Sequence, residues 1–323
     1  MSRPARALPD ELGDAFAVHA ALERGVSAAR LRSVGLERPF HGVRMLPETP
    51  HVLAAFNHDS TQRAAIERKA KAFEQVMSAG WFFAGSTAAV LFGAPVVHCD
   101  ELVVAAIHPA DAPRRRGVRA IKVSKHLVAV SKCAGMRVSS PASTWAMLGA
   151  ELTVRQLVAV GDMLVRVPRT RQGFLMLNHE LATVDQLQAA LDAGRRIGAS
   201  RLRQALEQIR VGCASPLETD YRLDAAAAGL PEPELDVEIF DRRGRRIGIT
   251  EFVYREFGTL VEVEGDHHRT DRKQWNRDIE KYSAYVAEGW EVVRLTSAHI
   301  RGPHPRATAI VRDALTRHGW VAT

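Results

Sequence analysis

Apolar and polar positions alternate in three stretches late in the chain: ELDVEIF from Glu234, RRIGITEFVY from Arg245 and TLVEVE from Thr259. A period of two marks strands whose side chains point to opposite faces of a sheet. DRRG from Asp241 and REFG from Arg255 supply the turns between them. Ahead of these strands, PLETDYRLDAAAAGLP reads as a helix: Ser215 caps it, Pro216 suits its first turn, and Gly229 with Pro231 ends it. Behind them, Asp271 to Glu288 forms a helix with Trp275, Ile279, Tyr282 and Val286 at helical spacing, then EVVRLT is a fourth strand and Arg306 to Arg317 a closing helix. The order is α, β, β, β, α, β, α.

The first part of the chain is patterned less regularly. A helix is expected from about Pro9 to Leu22, broken by Gly25, with Ser27 capping a second through Leu31 to Val34. RPFHGVRML, from Arg38 to Leu46, alternates weakly and suits a hairpin with His41 and Gly42 at its tip. Helix, glycine turn, helix and hairpin outline a winged helix-turn-helix, with Arg30, Arg32, Arg38 and Arg44 placed to meet DNA phosphates; a plain two-helix packing unit fits the same pattern. Thr61 to Met77 is an amphipathic helix with Ile66, Ala70, Phe73 and Met77 inward. WFFAGSTAAVLFGAPVV reads as a buried helix with its exit turn, and ELVVAAI from Glu101 as a strand. PRRRGVRAIKV, residues 113–123, is a basic loop leading into a strand. SPASTWAML and TVRQLVAVGDMLV supply two more helices, and Asp162 on the second reads chiefly as a solvated or capping acid.

A length of 323 residues suits two or three domains. Together with the element pattern it predicts a multi-domain α/β chain: a winged helix-turn-helix over 1–50, a mixed α/β middle region over 51–213, and a C-terminal domain over 214–323, with the main boundary around Gly212 to Pro216. Charge follows that division. The residues from Ala214 onward hold 16 Lys and Arg against 19 Asp and Glu, whereas the preceding ones hold 28 against 18. A basic first part suits an anionic polymer, or is simply a solvated arginine-rich surface. Three widely spaced cysteines argue against a disulfide framework or a zinc cluster. MSRPARALPDELGD lacks the apolar run of an export signal, and the most apolar window is too short and too interrupted to span a bilayer, so a cytoplasmic location without membrane contact is expected.

The chemistry concentrates in VEVEGDHHR, residues 261–269. If REFG closes its hairpin symmetrically, Tyr254 pairs with Thr259 and Glu251 falls opposite Glu262. Opposed like charges cost roughly 0.2–1 kcal/mol on adjacent strands, and more when buried. A divalent cation removes the conflict, and carboxylate oxygens favour Mg²⁺ or Mn²⁺ over zinc. His267 or His268 would then be placed to move a proton. A solvated acidic strand end with surface histidines satisfies the local spacing equally.

At these residues the chain resembles a known group. PLETDYR, GLPEPELDVEIFD, the strand pair ending VEVEGDHHR, and GWEVVRLT are similar to the Vsr-like endonuclease-related domain of the PD-(D/E)XK, or restriction-endonuclease-like, superfamily. AFAVHAALERGVSAARLRS, RPFHGVRML, GSTAAVLFGAPV and RVSSPASTWAML are more loosely similar to the antitoxin-type module of AbiEi-like proteins, and actinobacterial chains joining both modules are what this one most resembles. The resemblance implies an αβββαβ nuclease fold and a metal-dependent DNA endonuclease. In it Glu251, Glu262 and Glu264 act as Mg²⁺ or Mn²⁺ ligands, with Glu218 on the first helix and His268 as proton shuttle completing the catalytic set. It also implies DNA as a partner, and a protein partner from a toxin–antitoxin-like or defence system. Two departures stand out: the second-strand acid is usually aspartate, whereas Glu251 reaches about 1 Å further, and Glu264 stands where many members keep a lysine. A DNA-binding regulator or antitoxin with an inactive nuclease-type domain is the alternative.

Overall fold

The structure is a computed structural model and describes residues 7–47, 58–97, 100–264 and 272–322, except for the side chains of 58–60 and 272–277. The chain is mixed α/β and divides into two compact units, Met1–Ala150 with Ala189–Ile197 and Glu151–Gln188 with Gly198–Thr323. That division departs from the boundary expected near residue 213. Residues 151–188 and 198–213 belong with the C-terminal elements, not with a separate middle region.

The first unit opens differently from the expected helix. Asp10–Leu12 is a single 3-10 turn, Ala15–Ala17 is a strand (β1), and only Val18–Glu23 is helical (α1). Ser27 does cap the next helix, Ala28–Leu31 (α2), accepting from the Arg30 amide at 3.2 Å. The hairpin region contributes one strand, Val43–Met45 (β2), which pairs antiparallel with β1, while Glu37 bridges to Met45. Phe16 decides this: as part of β1 it joins Leu12, Ala21, Val26, Leu31 and Leu36 in one small core. Helix α3 (His58–Glu74) buries Ile66, Ala70 and Phe73 as its pattern requires, and the expected Met77 lies past its end, half-buried. Strand β3 (Trp81–Phe83), helix α4 (Gly85–Phe92), strands β4 (Leu102–Ile107), β5 (Val118–Val123), β6 (Val130–Cys133) and β7 (Met136–Ser139), and helix α5 (Pro141–Leu148) complete the unit. The five strands lie in the order β5-β4-β3-β7-β6, and α4 is buried from Gly85 to Leu91.

The second unit begins with α6 (Val154–Val165), capped by a reciprocal Thr153–Gln156 box. Next come α7 (Val184–Asp192), whose last residues belong to the first unit, α8 (Ala199–Gln208) and α9 (Pro216–Ala227), then strands β8 (Glu234–Phe240), β9 (Arg246–Tyr254) and β10 (Thr259–Glu264). Helix α10 (Arg272–Ala287), strand β11 (Glu291–Thr296) and helices α11 (Ser297–Arg301) and α12 (Ala307–Arg317) finish it, so the αβββαβ order read from the sequence is present. The sheet runs β11-β10-β9-β8, with β10 and β11 parallel and the other pairs antiparallel. Alternation gives its two faces different covers. Phe252, Tyr254 and Val261 pack with Tyr221 and Ala225 of α9 and Val311 and Ala314 of α12. Val253 and Leu260 pack instead against Tyr285 of α10.

Asp162 holds α6 to α9 and is no solvated acid. It is 1% exposed and accepts from the Arg210 amide at 2.8 Å, Thr219 Oγ1 at 2.9 Å and Arg222 Nη2 at 2.8 Å. A carboxylate can be buried at such depth because a guanidinium and two neutral donors replace its water. In the same pocket, burial and the Asp162 charge push the Cys213 thiol up to about 12, which leaves it protonated and inert.

Candidate functional site

The β9–β10 hairpin takes the register its turn predicts: Thr259 pairs with Tyr254, Leu260 with Val253 and Val261 with Phe252. Arg255–Phe257 forms a 3-10 turn, and Gly258, at φ 53°, closes it in the left-handed region that a side chain would strain. The paired ladder stops there, one step before Glu251 and Glu262. Both acids stand on the face that α10 covers.

Glu262 is 4% exposed, and Lys281 Nζ lies 2.9 Å from each of its carboxylate oxygens, with hydrogen-bond geometry to Oε2. The same ammonium donates to the Ile249 carbonyl at 3.0 Å. Glu251 is half-buried as a residue, but its Oε2 is enclosed and has no hydrogen-bond partner. Burial raises the Glu251 carboxyl well above the ordinary carboxylate range. The charges of Glu262 and Glu218 and a hydrogen bond to Glu262 raise it further, while Lys281 opposes them. Lys281, reaching in from α10, is the cation that faces this pair of acids.

Tyr285 completes this pocket. Its ring is fully buried, its hydroxyl has no partner, and burial together with the charges of Glu262 and Glu251 raises that hydroxyl above the ordinary phenol range. Gly248 makes the approach possible. A Cβ there would lie 2.7 Å from Tyr285 Oη and 3.0 Å from Lys281 Cδ, so a side chain on β9 at this point would displace the Tyr285 and Lys281 side chains.

The other expected site residues are placed differently. Glu264 shares the face of Glu262 but is held by Tyr282 Oη at 2.9 Å and by Arg294 Nε at 2.9 Å, with the Arg294 guanidinium stacked 4.7 Å from the Tyr282 ring centroid. Glu218 closes the N-terminus of α9. It accepts from the Ala214 amide at 2.6 Å and from Ser215 Oγ at 2.8 Å, while Ser215 accepts from its amide. That is a capping role, on the helix covering the opposite face of the sheet, although its charge still reaches Glu251. His267 and His268 lie outside the described residues.

Two carboxylates, each with a buried oxygen that lacks a hydrogen-bond partner, form a donor set that fits a small oxygen-preferring cation. The expected third ligand, Glu264, has its Oε1 engaged by Tyr282 and Arg294. Among the described residues no group of three or more His, Cys, Asp and Glu gathers to hold a metal ion.

Of the four arginines assigned to DNA, two donate to backbone carbonyls. Arg44 donates to the carbonyls of Leu31 at 2.6 Å and Val43 at 2.8 Å, and Arg38 donates to the Arg32 carbonyl at 2.6 Å. Arg30 is half-buried and donates to Ser33 Oγ at 2.6 Å, and Arg32 is exposed.

Lys281, Tyr285 and Gly248 were not singled out by sequence reasoning. The apolar spacing in α10 pointed to Ile279 and Val286, which are 50% and 61% exposed. The buried stripe runs through Lys281, Tyr282 and Tyr285 because the carboxylates on the sheet demand a cation and hydroxyls from their cover. That complementarity was the available signal. No protein-family model matches the chain, and no curated protein matches it. Among the described residues no helix is long and apolar enough to cross a membrane.

Proposed function

We propose that the protein is a DNA-binding, metal-dependent endonuclease whose second unit carries a restriction-endonuclease-like site. The observation that carries this reading is the buried Glu251–Glu262 pair, with an unpartnered oxygen on Glu251 and the Lys281 ammonium beside it. The αβββαβ order and the mixed four-stranded sheet support the same fold.

Glu251 and Glu262 would hold Mg²⁺ or Mn²⁺. When bound, such an ion supplies Lewis acidity toward a phosphodiester oxygen and lowers the pKa of water. The residues of the chain do the rest. Glu251 must give up its proton before it serves as a ligand. Lys281, anchored on the Ile249 carbonyl, keeps a positive charge against Glu262 and is positioned to balance the charge of an entering phosphate. Glu264 fixes Tyr282 and Arg294 at the rim of this face, and His268 retains the proton-shuttle role implied by the resemblance.

The second reading, a DNA-binding regulator or antitoxin-like protein with an inactive nuclease-type domain, is favoured by the engagement of Glu264 with Arg294 and Tyr282. Incubation with supercoiled plasmid separates the two. Metal-dependent nicking that disappears with EDTA and in Glu262→Ala supports the first; cleavage by Glu262→Ala at the parental rate refutes this site. DNA binding without nicking by the natural chain, but with nicking by Glu251→Asp, assigns the second.

A further inference from the structure

The first unit carries a cleft of about 770 Å³ lined by Arg38 and His41 from the segment before β2, Lys69 from α3, and Arg114, Arg115 and Arg116 from the loop before β5. Five permanent cations converge there, and among the described residues lining it there is no Asp or Glu. Three other cations of this unit are paired with carboxylates: Arg63 with Glu67 at 2.8 Å, Arg68 with Glu37 at 2.8 Å, and Lys122 with Asp111 at 3.0 Å.

The cleft is also braced. Arg115 Nη1 donates to the His41 carbonyl at 3.2 Å, tying the loop to the segment opposite, and Lys69 donates to the Asp100 carbonyl. Arg38 is anchored on the Arg32 carbonyl. Neutral carbonyls orient these side chains without cancelling their charge. Arg114 and Arg116 remain exposed at the mouth. Apart from Asp111, whose carboxyl feels the Arg114 charge, these gathered cations repel one another, and an anion entering the cleft relieves that repulsion.

The aromatic floor narrows the choice of anion. Phe40 lines the cleft, but it is buried, in a T-shaped contact with Phe73 at 4.9 Å between ring centroids, and offers no open face to a base. A site built to stack unpaired bases needs free aromatic faces. This one offers charge to phosphates.

We propose that this cleft, not the Arg30 and Arg44 surface, is where the first unit grips the sugar–phosphate backbone of double-stranded DNA, without regard to base sequence. The inference rests on the DNA-binding half of the reading above and is independent of catalysis.

The test measures anisotropy of a fluorescent 20-base-pair duplex against the full-length protein in EDTA, between 50 and 200 mM NaCl, which excludes hydrolysis. Losing two phosphate contacts in Arg114→Ala/Arg116→Ala should flatten the slope of log K against log salt by about 1.8 and weaken binding roughly 10- to 100-fold at 0.1 M salt. Arg114→Lys/Arg116→Lys should retain the parental slope, which a packing defect would not allow, and Arg30→Ala/Arg32→Ala should bind like the parent. Parental affinity and slope in the double alanine protein, or loss in Arg30→Ala/Arg32→Ala instead, overturns the cleft while leaving DNA binding itself intact. Preference for single-stranded DNA or for duplex RNA by the unaltered protein overturns the assignment to duplex DNA. Failure to bind any duplex at 50 mM NaCl overturns both this inference and the DNA-binding reading.

Discussion

Replacing Glu251 by glutamine isolates the titration of this buried acid. Glutamine matches glutamate in size but cannot ionise. In the metal-free natural protein the Glu251 carboxyl is raised well above its ordinary value of 4.5, first by burial and then by Glu262. The folded state therefore binds a proton that the unfolded state releases. Between the unfolded value and the raised folded one, stability falls as pH rises, by about 1.4 kcal/mol per pH unit from this single group, and the deficit persists above the folded value. Glu251→Gln lacks that loss. Urea unfolding in EDTA at several values from pH 4 to pH 9 should give two curves that coincide near pH 4 and diverge as pH rises, with glutamine the more stable. The pH at which the gap stops widening reads out the folded pKa. Parallel curves, or a natural protein that gains on the glutamine variant with rising pH, would refute the raised Glu251 carboxyl. Added Mg²⁺ or Mn²⁺ should close the gap, since an ion that binds only the folded state at ~100 times its Kd adds about 2.7 kcal/mol.

Two further outcomes follow from the packing. Asp162→Ala strands the Arg222 guanidinium, 6% exposed, in the interior and should cost about 3–5 kcal/mol in urea melts, whereas Asp162→Ala/Arg222→Met should recover most of that; equal losses in the single and double variants would mean that the pair is not what holds α6 to α9. Gly248→Ala sets a methyl group 2.7 Å from Tyr285 Oη and should destabilise by about 1–3 kcal/mol while sharply reducing any metal-dependent nicking, and unchanged melting would show that α10 does not depend on the bare backbone of β9.

Alternation and turn chemistry made the second unit's strands legible, because those signals are local. Four residues between Tyr254 and Thr259 set the hairpin register, and that register alone brought Glu251 beside Glu262. The covering helix was harder. Ile279 and Val286 satisfy an apolar period, yet they face water because Lys281 and Tyr285 neutralise and fill the space over two acids, a demand visible only once the sheet is assembled. Glu218 illustrates the converse: an acid three residues after a capping serine has a local use, and the structure puts it there. At the N-terminus the helical pattern from Pro9 lost to a strand because Phe16 reaches the small core from β1. The division of the chain escaped sequence reading for a similar reason. Asp162 and Arg222 meet across sixty residues, and neither periodicity nor charge balance records such a pair.

The antiparallel ladder between β9 and β10 ends at Val261 and Phe252, whereas β10 stays paired with β11 through Glu264. Glu251 and Glu262 thus project from a fork whose prongs are free of mutual backbone bonds. Two oxygens sharing a proton sit about 2.5–2.7 Å apart, and two bound to one small cation stand only a few tenths of an ångström further. Spreading the fork by that amount breaks no rung of the sheet, so trading a proton for an ion is mechanically inexpensive here in a way that it would not be mid-strand.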